Sequence, residues 1–304
     1  MWRCGLGIEF PICSTVPGIK TVNKKLTFKY FNYKWGRVPT WARATDHIYE
    51  QWYLTRYGYK NHAGLKKFLK NKKSILEAGC GVGRDAKMFA EANPDARIVG
   101  VDQSEEALRI AKKSLKTFPG WSELRADITT FKTKEKFDFI SCDQVVHHTP
   151  NPGKTLSNLG GKLNPGGILN FSVCRKKNEY RDLVDDLIML KARDMKPEDL
   201  WEFSRVVTEF AKALYELDIK PVKFKGRKYE SLQRFVHNQV FRAWYDPKIA
   251  FELSVSSNYD WFSSNPRFTA TEVKTDILSH IEGFKILRFH EDDAVISVSL
   301  KKLA

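Results

Sequence analysis

Cysteine is sparse and unpatterned in this chain. Cys4, Cys13, Cys80, Cys142 and Cys174 are five in number and form no C-x-x-C pair. An odd, scattered set argues against a disulfide framework and against a structural zinc site, and no metal is expected. Long apolar runs are missing as well. No stretch approaches the roughly 18 apolar residues of a membrane-spanning helix. The opening MWRCGLGIEFPICSTVPG lacks a basic segment followed by a continuous apolar one. Neither a membrane span nor a signal peptide is therefore expected, and the expected compartment is a reducing cytoplasm. There is no internal repeat and no low-complexity tract, which sets aside solenoids and disordered chains.

Acidic residues are also in deficit. Asp and Glu number 36 against 51 Lys and Arg, a net charge of +15. A nucleic acid is one partner for such a charge. The excess is carried by Lys, 34 against 17 Arg, and Lys lacks the planar fork that reads phosphates and base edges. A solvated surface accounts for it better. The charge is uneven, however: residues 19–73 hold 14 Lys and Arg against two acids, Asp46 and Glu50. Aromatics crowd the same segment, among them Tyr30, Tyr33, Trp35, Trp41, Tyr49, Trp52, Tyr53, Tyr57 and Tyr59. A basic aromatic arm can bind single-stranded nucleic acid. It can equally pack on a domain or wall a site for an anionic small molecule, and packing with a pocket wall ranks first.

What is present is a core-forming composition, 42% hydrophobic and 13% aromatic over 304 residues. That suits one large domain or one domain with an insertion. Between residues 74 and 173 strands and helices alternate. SILEAGC, RIVGVD, WSELRADI, KFDFISCD and NPGGILNFSVC read as strands, the last opening on a turn. Residues 84–92 read as a helix, as does the stretch that follows Ser104, with Ser104 as N-cap. GKTLSNLGGKL is helical with glycine weaknesses. This alternation predicts βαβ units and a parallel sheet.

After residue 175 the pattern changes. Tyr180, Leu183, Val184, Leu187 and Ile188 predict an amphipathic helix, and Leu200 to Leu217 a longer one. A third helix is expected over residues 229–244. The stretch PKIAFELSVSSNYDWFSSNPRF reads as irregular. Thr269 and Glu272 have capping-box spacing, and FKILRFHEDDAVISVSL predicts a hairpin. The expected divisions are an arm over residues 1–73, a core over 74–174, a mostly helical insertion over 175–269, and a last helix with hairpin over 270–304.

The glycines of ILEAGCGVGRD, residues 75–85, sit between the first strand and a helix, where backbone can approach a ligand closely. Their spacing is not the G-x-G-x-x-G of dinucleotide sites. Glu77 lies two residues before Gly79, and a carboxylate there would repel a pyrophosphate and suit a cation. Asp102 ends the second strand, a place that commonly serves ribose hydroxyls. Asp127, beyond the third, is placed to accept from an exocyclic amine, although a loop or capping role is nearly as good. The pocket asks for an amine or sulfonium, a ribose and an adenine.

With those residues in view, residues 75–173 resemble the class I S-adenosylmethionine-dependent methyltransferases. The matching pieces are LEAGCGVGRD, VGVDQS, RADITTF, FDFISCDQVVHHTPNP and LNPGGIL. The small-molecule subgroup that includes quinone-biosynthesis enzymes is the nearest in pattern. The resemblance implies a doubly wound α/β sheet of seven strands, Rossmann-like, with the last strand reversed and an N-terminal arm and helical insertion beside it. It implies S-adenosyl-L-methionine as cofactor, leaving S-adenosyl-L-homocysteine. Glu77, Gly79 and Gly81 would lie at the methionine part, Asp102 at the ribose, Asp127 at the adenine, Gln103 at the adenine or ribose, and Asp143, Gln144 and Val145 beside the sulfonium, with Cys80, Gly83 and Ile128 also in the cofactor site.

His147 and His148 follow the fourth strand and are candidate general bases; a packing or turn-capping role is equally open. DQVVHH replaces the Asn/Asp-Pro-Pro-aromatic stretch typical of nucleic-acid amine methylation, which argues against that substrate. Tyr49, Tyr53, Tyr259, Trp261 and Arg267 are candidate acceptor contacts, Arg267 for an acidic one. The expected function is methyl transfer to a small organic acceptor. An RNA methyltransferase using the basic arm and a non-catalytic cofactor-binding regulator are the competing readings, and the Leu200 to Leu217 stripe leaves a homodimer open.

Overall fold

A computed structural model of the chain describes residues 22–37, 46–263 and 266–303. Cys4, Cys13 and Trp41, with the expectations that touch residues 1–21 and 38–45, lie outside the described residues. The chain opens with helices α1 (Lys24–Arg37), α2 (Asp46–Tyr57) and α3 (His62–Leu69). Then come β1 (Ser74–Ala78), α4 (Arg84–Ala92), β2 (Arg97–Asp102), α5 (Glu105–Leu115), β3 (Trp121–Arg125), β4 (Phe137–Cys142), α6 (Pro152–Gly160) and β5 (Leu163–Arg175). The caps that start these helices are in the sequence. Ser104 accepts from Ala107 N at 3.2 Å, and Asn151 from Lys154 N at 2.9 Å ahead of Pro152, each satisfying an amide the helix leaves free.

The insertion contains α7 (Glu179–Ala192), α8 (Pro197–Glu216), the hairpin β6 (Val222–Phe224) and β7 (Arg227–Tyr229), α9 (Leu232–Gln239) and α10 (Phe251–Ser263). A short strand β8 (Arg267–Phe268), a helical turn α11 (Ala270–Glu272) and the strands β9 (Phe284–Glu291) and β10 (Val295–Lys302) follow. The sheet order is β3-β2-β1-β4-β5-β10-β9, with β8 paired to β5. β1 to β5 are parallel neighbours, while β10 runs antiparallel to both β5 and β9. That is the expected doubly wound sheet with its last strand reversed. β1 and β4 are buried almost throughout, as central parallel strands covered on both faces must be.

One apolar cluster joins β1, β4, β5 and β10 to α6; a second packs α2, α3 and α4 on the sheet. The insertion has its own cluster around Trp201, Tyr259 and Phe262, and Tyr30 of α1 belongs to it. Among the described residues no helix is long and apolar enough to cross a membrane.

Three expectations fail here. Residues 229–244 are not one helix: the β6–β7 hairpin ends at Tyr229 and α9 at Gln239. The stretch read as irregular holds α10. Its helix carries no polar stripe because it is buried nearly all round, from Leu253 to Ser263, which erases the amphipathic signal. In α7 the predicted apolar face is outward: Tyr180, Leu183 and Leu187 are exposed, while Arg181 and Asp185 are fully buried. A polar network reverses the expected orientation. Asp185 accepts from Arg181 Nε at 2.8 Å, Trp261 Nε1 at 2.7 Å and Arg242 N at 2.9 Å, so the buried charge is paired and hydrogen-bonded. The α8 stripe, for which a core role and a dimer seam were both open, is divided. Leu200 and Val207 belong to the insertion core, and only its later members Phe210 and Leu217 are exposed.

Candidate active site

The turn after β1 places Gly79, Gly81 and Gly83 at φ +78°, +51° and +76°. These are left-handed conformations that a side chain disfavours, and at Gly79 a Cβ would also collide with Val145. Gly79 N and Cys80 N donate to Val101 O at 2.7 and 3.0 Å. Asp102 ties the next segments together: Oδ2 accepts from Gly81 N at 2.9 Å and Oδ1 from Ser104 N at 2.8 Å. Burial still holds its carboxyl above the ordinary range. Glu77 accepts from Ala86 N at 3.0 Å and so caps α4, whose N-cap residue, Gly83, has no side chain to do it. Burial, and then the Asp85 carboxylate, raise Glu77 well above its usual pKa.

At the end of β4, Asp143 Oδ1 accepts from Tyr57 OH and Ser172 Oγ, both at 2.7 Å. Burial and then Asp143 push the Tyr57 phenol well up, keeping it a donor. Gln144 takes φ +54° and its N–H donates to Ser172 Oγ at 2.9 Å.

These strand ends border a cavity of about 1020 Å³. Of the residues singled out in the sequence, Glu77, Gly79, Cys80, Gly81, Asp102, Gln103, Ile128, Asp143, Gln144, Val145, His148, Tyr49 and Trp261 line it. The rest do not, each for a visible reason. Gly83 faces α5, where a Cβ would stand 2.7 Å from Leu115 Cδ1. Asp127 turns to Lys24, its ion-pair partner, and to Thr129 N at 2.9 Å; burial opposes its charge, but these partners hold its pKa below the usual range. Tyr53 is in the core with its OH 3.0 Å from Ser141 Oγ. Tyr259 is buried in the insertion and donates to Tyr30 O at 3.2 Å. Arg267 is spent on Asp182 and Asp186.

The two histidines differ in exposure. They share one 3-10 turn, Val146–His148, and their ring centroids lie 4.0 Å apart. His147 is 1% exposed with Nε2 3.6 Å from Cys174 Sγ, and burial, then His148, lower its pKa well below the ordinary value. Burial thus disfavours its charged form. His148 is at the cavity, its ring 4.9 Å from that of Phe31.

Several lining residues were not among the candidate site residues, although the arm's aromatics were expected to pack or to wall a pocket. α1 contributes Phe28, Phe31, Lys34 and Trp35. It is tied to the cofactor edge by Lys24–Asp127 and by Ser104 Oγ, which donates to Asn32 Oδ1 at 3.2 Å. It is tied to the insertion by Tyr30 OH, which donates to Met195 O at 3.0 Å. Arg84 stacks over Tyr49 at 4.5 Å and donates to Asp85 at 2.8 Å. Lys177, Arg234, Arg242 and Trp244 come from the insertion side. Only the basic aromatic composition of the arm hinted at α1, and nothing local marked the others. Among the described residues no group of three or more His, Cys, Asp or Glu side chains is arranged to hold a metal ion.

A family model described as a methyltransferase domain matches residues 69–234. Trans-aconitate 2-methyltransferase of Azoarcus sp. is 32% identical over 106 residues, 35% of this chain and 41% of that protein. Ubiquinone biosynthesis O-methyltransferase of Ralstonia nicotianae is 24% identical over 165 residues, 53% of this chain and 68% of that protein. The solved structure of magnesium protoporphyrin IX methyltransferase from Synechocystis PCC 6803 with bound SAM is 15% identical, covers 92% of this chain and 96% of that chain, and has a TM-score of 0.49. The chain spans 41%, 30% and 48% of the length of the first curated relatives it matches, about half or less.

Proposed function

The chain belongs to the methyltransferase domain family, whose model covers residues 69–234, and from that membership we propose that it transfers a methyl group from S-adenosylmethionine to a small organic acceptor. One observation carries the reading: the acid-lined glycine turn and the aromatic insertion wall are two ends of the same cavity. A relative named for methylating trans-aconitate supports the small-molecule class.

The residues present suit the cofactor. Each oxygen of Asp102 accepts one backbone N–H and keeps a lone pair free, so the carboxylate can take two ribose hydroxyls. Ala126 and Ile128 offer an apolar wall to an adenine, and the Asp143 carboxylate borders the space for an amine or sulfonium. The bound cofactor supplies a methyl carbon made electrophilic by its positively charged sulfur. The protein supplies alignment: Gly79 lets the backbone come close, and Asp143, fixed by Tyr57 and Ser172, sets the wall beside it. His148 brings an imidazole to the cavity wall and would take the acceptor's proton. Tyr49, Trp35 and Trp261 keep water from the reacting atoms.

The test is incubation with methyl-labelled S-adenosylmethionine and fractionated cell metabolites. Label in a low-mass compound is expected. Label confined to RNA, or none in any pool with binding intact, would overturn the small-molecule assignment.

A further inference from the structure

The insertion end of the cavity gathers more positive than negative charge: Asp185 and Asp260 act on Arg242 and Asp293 on Lys177, against four cationic or basic groups. Lys177, just beyond β5, Arg234 and His237 of α9, and Arg242 all line it. The arginines are held by rings. Arg234 lies 4.4 Å from the Trp244 ring, and Arg242 lies 5.4 Å from Trp244 and 4.8 Å from Trp261. Arg242 donates to Ser257 Oγ at 2.6 Å, yet its Nε is buried without a partner. His237 is 5% exposed and its Nδ1 is also without one.

Two of the nearby acids have cationic partners elsewhere. Asp260 pairs with Lys34 at 2.9 Å and Asp292 with Arg56 at 3.0 Å. Asp246 accepts from Lys248 N at 2.9 Å. Asp293 and Glu230 remain, and only Asp293 acts appreciably on Lys177. Burial, and then Arg181, bring the Lys177 ammonium down to about 8. Like charges gathered in a partly dry cavity repel one another and cost stability until an opposite charge enters.

We propose that Lys177, Arg234 and Arg242 form an oxyanion subsite that holds a carboxylate or phosphate of the methyl acceptor, with the acceptor's carbon body against Trp244 and Trp261. This rests on the methyltransferase reading of the same cavity. The half-buried cations beside Trp244 and Trp261 suit a small anion with an apolar body better than a polymer, which tracks along an exposed basic groove. The guanidinium forks suit either oxyanion.

The full chain is titrated with malonate, with inorganic phosphate and with neutral malonamide, following the thermal unfolding midpoint. A separate titration uses S-adenosylhomocysteine. Malonate, phosphate or both should raise the midpoint saturably, and malonamide should not; the effective anion identifies the group. In Lys177→Met the half-saturating anion concentration should rise by about tenfold or more, with the S-adenosylhomocysteine response retained. If circular dichroism shows Lys177→Met poorly folded, Arg234→Gln gives the same readout from the opposite side of the subsite. No anion response in the wild type, or equal responses in wild type and variant, overturns the subsite. An anion response without any S-adenosylhomocysteine response overturns the cofactor assignment and leaves the subsite standing.

Discussion

Lys34 Nζ lies 2.9 Å from Asp260 Oδ2, joining α1 to α10, a helix of the insertion, although more than two hundred residues separate them in sequence. Lys34 is 5% exposed, and its ammonium also stands 4.6 Å from the Trp35 ring. Lys34→Met should leave Asp260 without this partner at the cavity wall. We expect a stability loss of about 1–3 kcal/mol and weaker S-adenosylhomocysteine binding, by about three- to tenfold, as α1 loosens. Urea unfolding and calorimetry check the two effects separately.

Asp102→Asn replaces one carboxylate oxygen by a donor that faces either Gly81 N–H or Ser104 N–H. One backbone amide loses its acceptor and the proposed ribose contact loses its charge. Cofactor affinity should drop by about 1–3 kcal/mol, the usual worth of a hydrogen bond to a charged group. Calorimetric titration with S-adenosylhomocysteine measures it, and unchanged affinity would remove Asp102 from the site.

The histidines should respond oppositely. His147→Leu removes a buried, neutral ring and should lower the unfolding midpoint while leaving KM for the acceptor near its original value. His148→Ala changes the cavity wall and should lower kcat by about 10²-fold or more if it takes the acceptor's proton. Comparing kcat and KM with the midpoint for both variants separates packing from chemistry.

Lys177 gives a pH signature. Its folded pKa, about 8, lies below the ordinary 10.5 because of burial and the cations Arg181, Arg242 and Arg175, against Asp293; His237 also faces this group. The unfolded chain therefore binds more protons between those two values. The cost of the buried charge is fully present below about pH 8 and is relieved as pH rises towards 10.5. Lys177→Met should be more stable than the wild type at neutral pH, by about 1–3 kcal/mol, and the difference should shrink across that window. Unfolding midpoints of both proteins from pH 7 to about 10.5 test the sign.

The cofactor half of the cavity was legible because local rules fix it. A strand, a glycine turn and a following helix can be read in one short window, and the acids at Glu77, Asp102 and Asp143 sit at strand ends. Inside that half, neighbours were harder to tell apart: His147 and His148 differ in exposure through the turn they share, and Asp127 is diverted by Lys24, distant in sequence. The insertion was legible only in part. Its helix α7 obeys a polar network centred on Asp185 rather than its own apolar stripe, and α10 is buried on every side. Lys177, Arg234 and Arg242 meet only once α9 and α10 have folded against the end of β5, a long-range arrangement with no local pattern.

The place of β10 bears on how the protein is made. Residues 295–302 are the last strand to leave the ribosome among those described, yet they lie between β5 and β9, with Val295 to Leu300 buried. Until they arrive, the apolar edge of β5 from Ile168 to Cys174 has no antiparallel partner. The nascent chain must carry an unfinished sheet through synthesis of the whole insertion, and an unpaired apolar strand edge is a site for wrong pairing with other chains. Folding yield on the ribosome, rather than equilibrium stability, is the quantity that this chain order puts at risk.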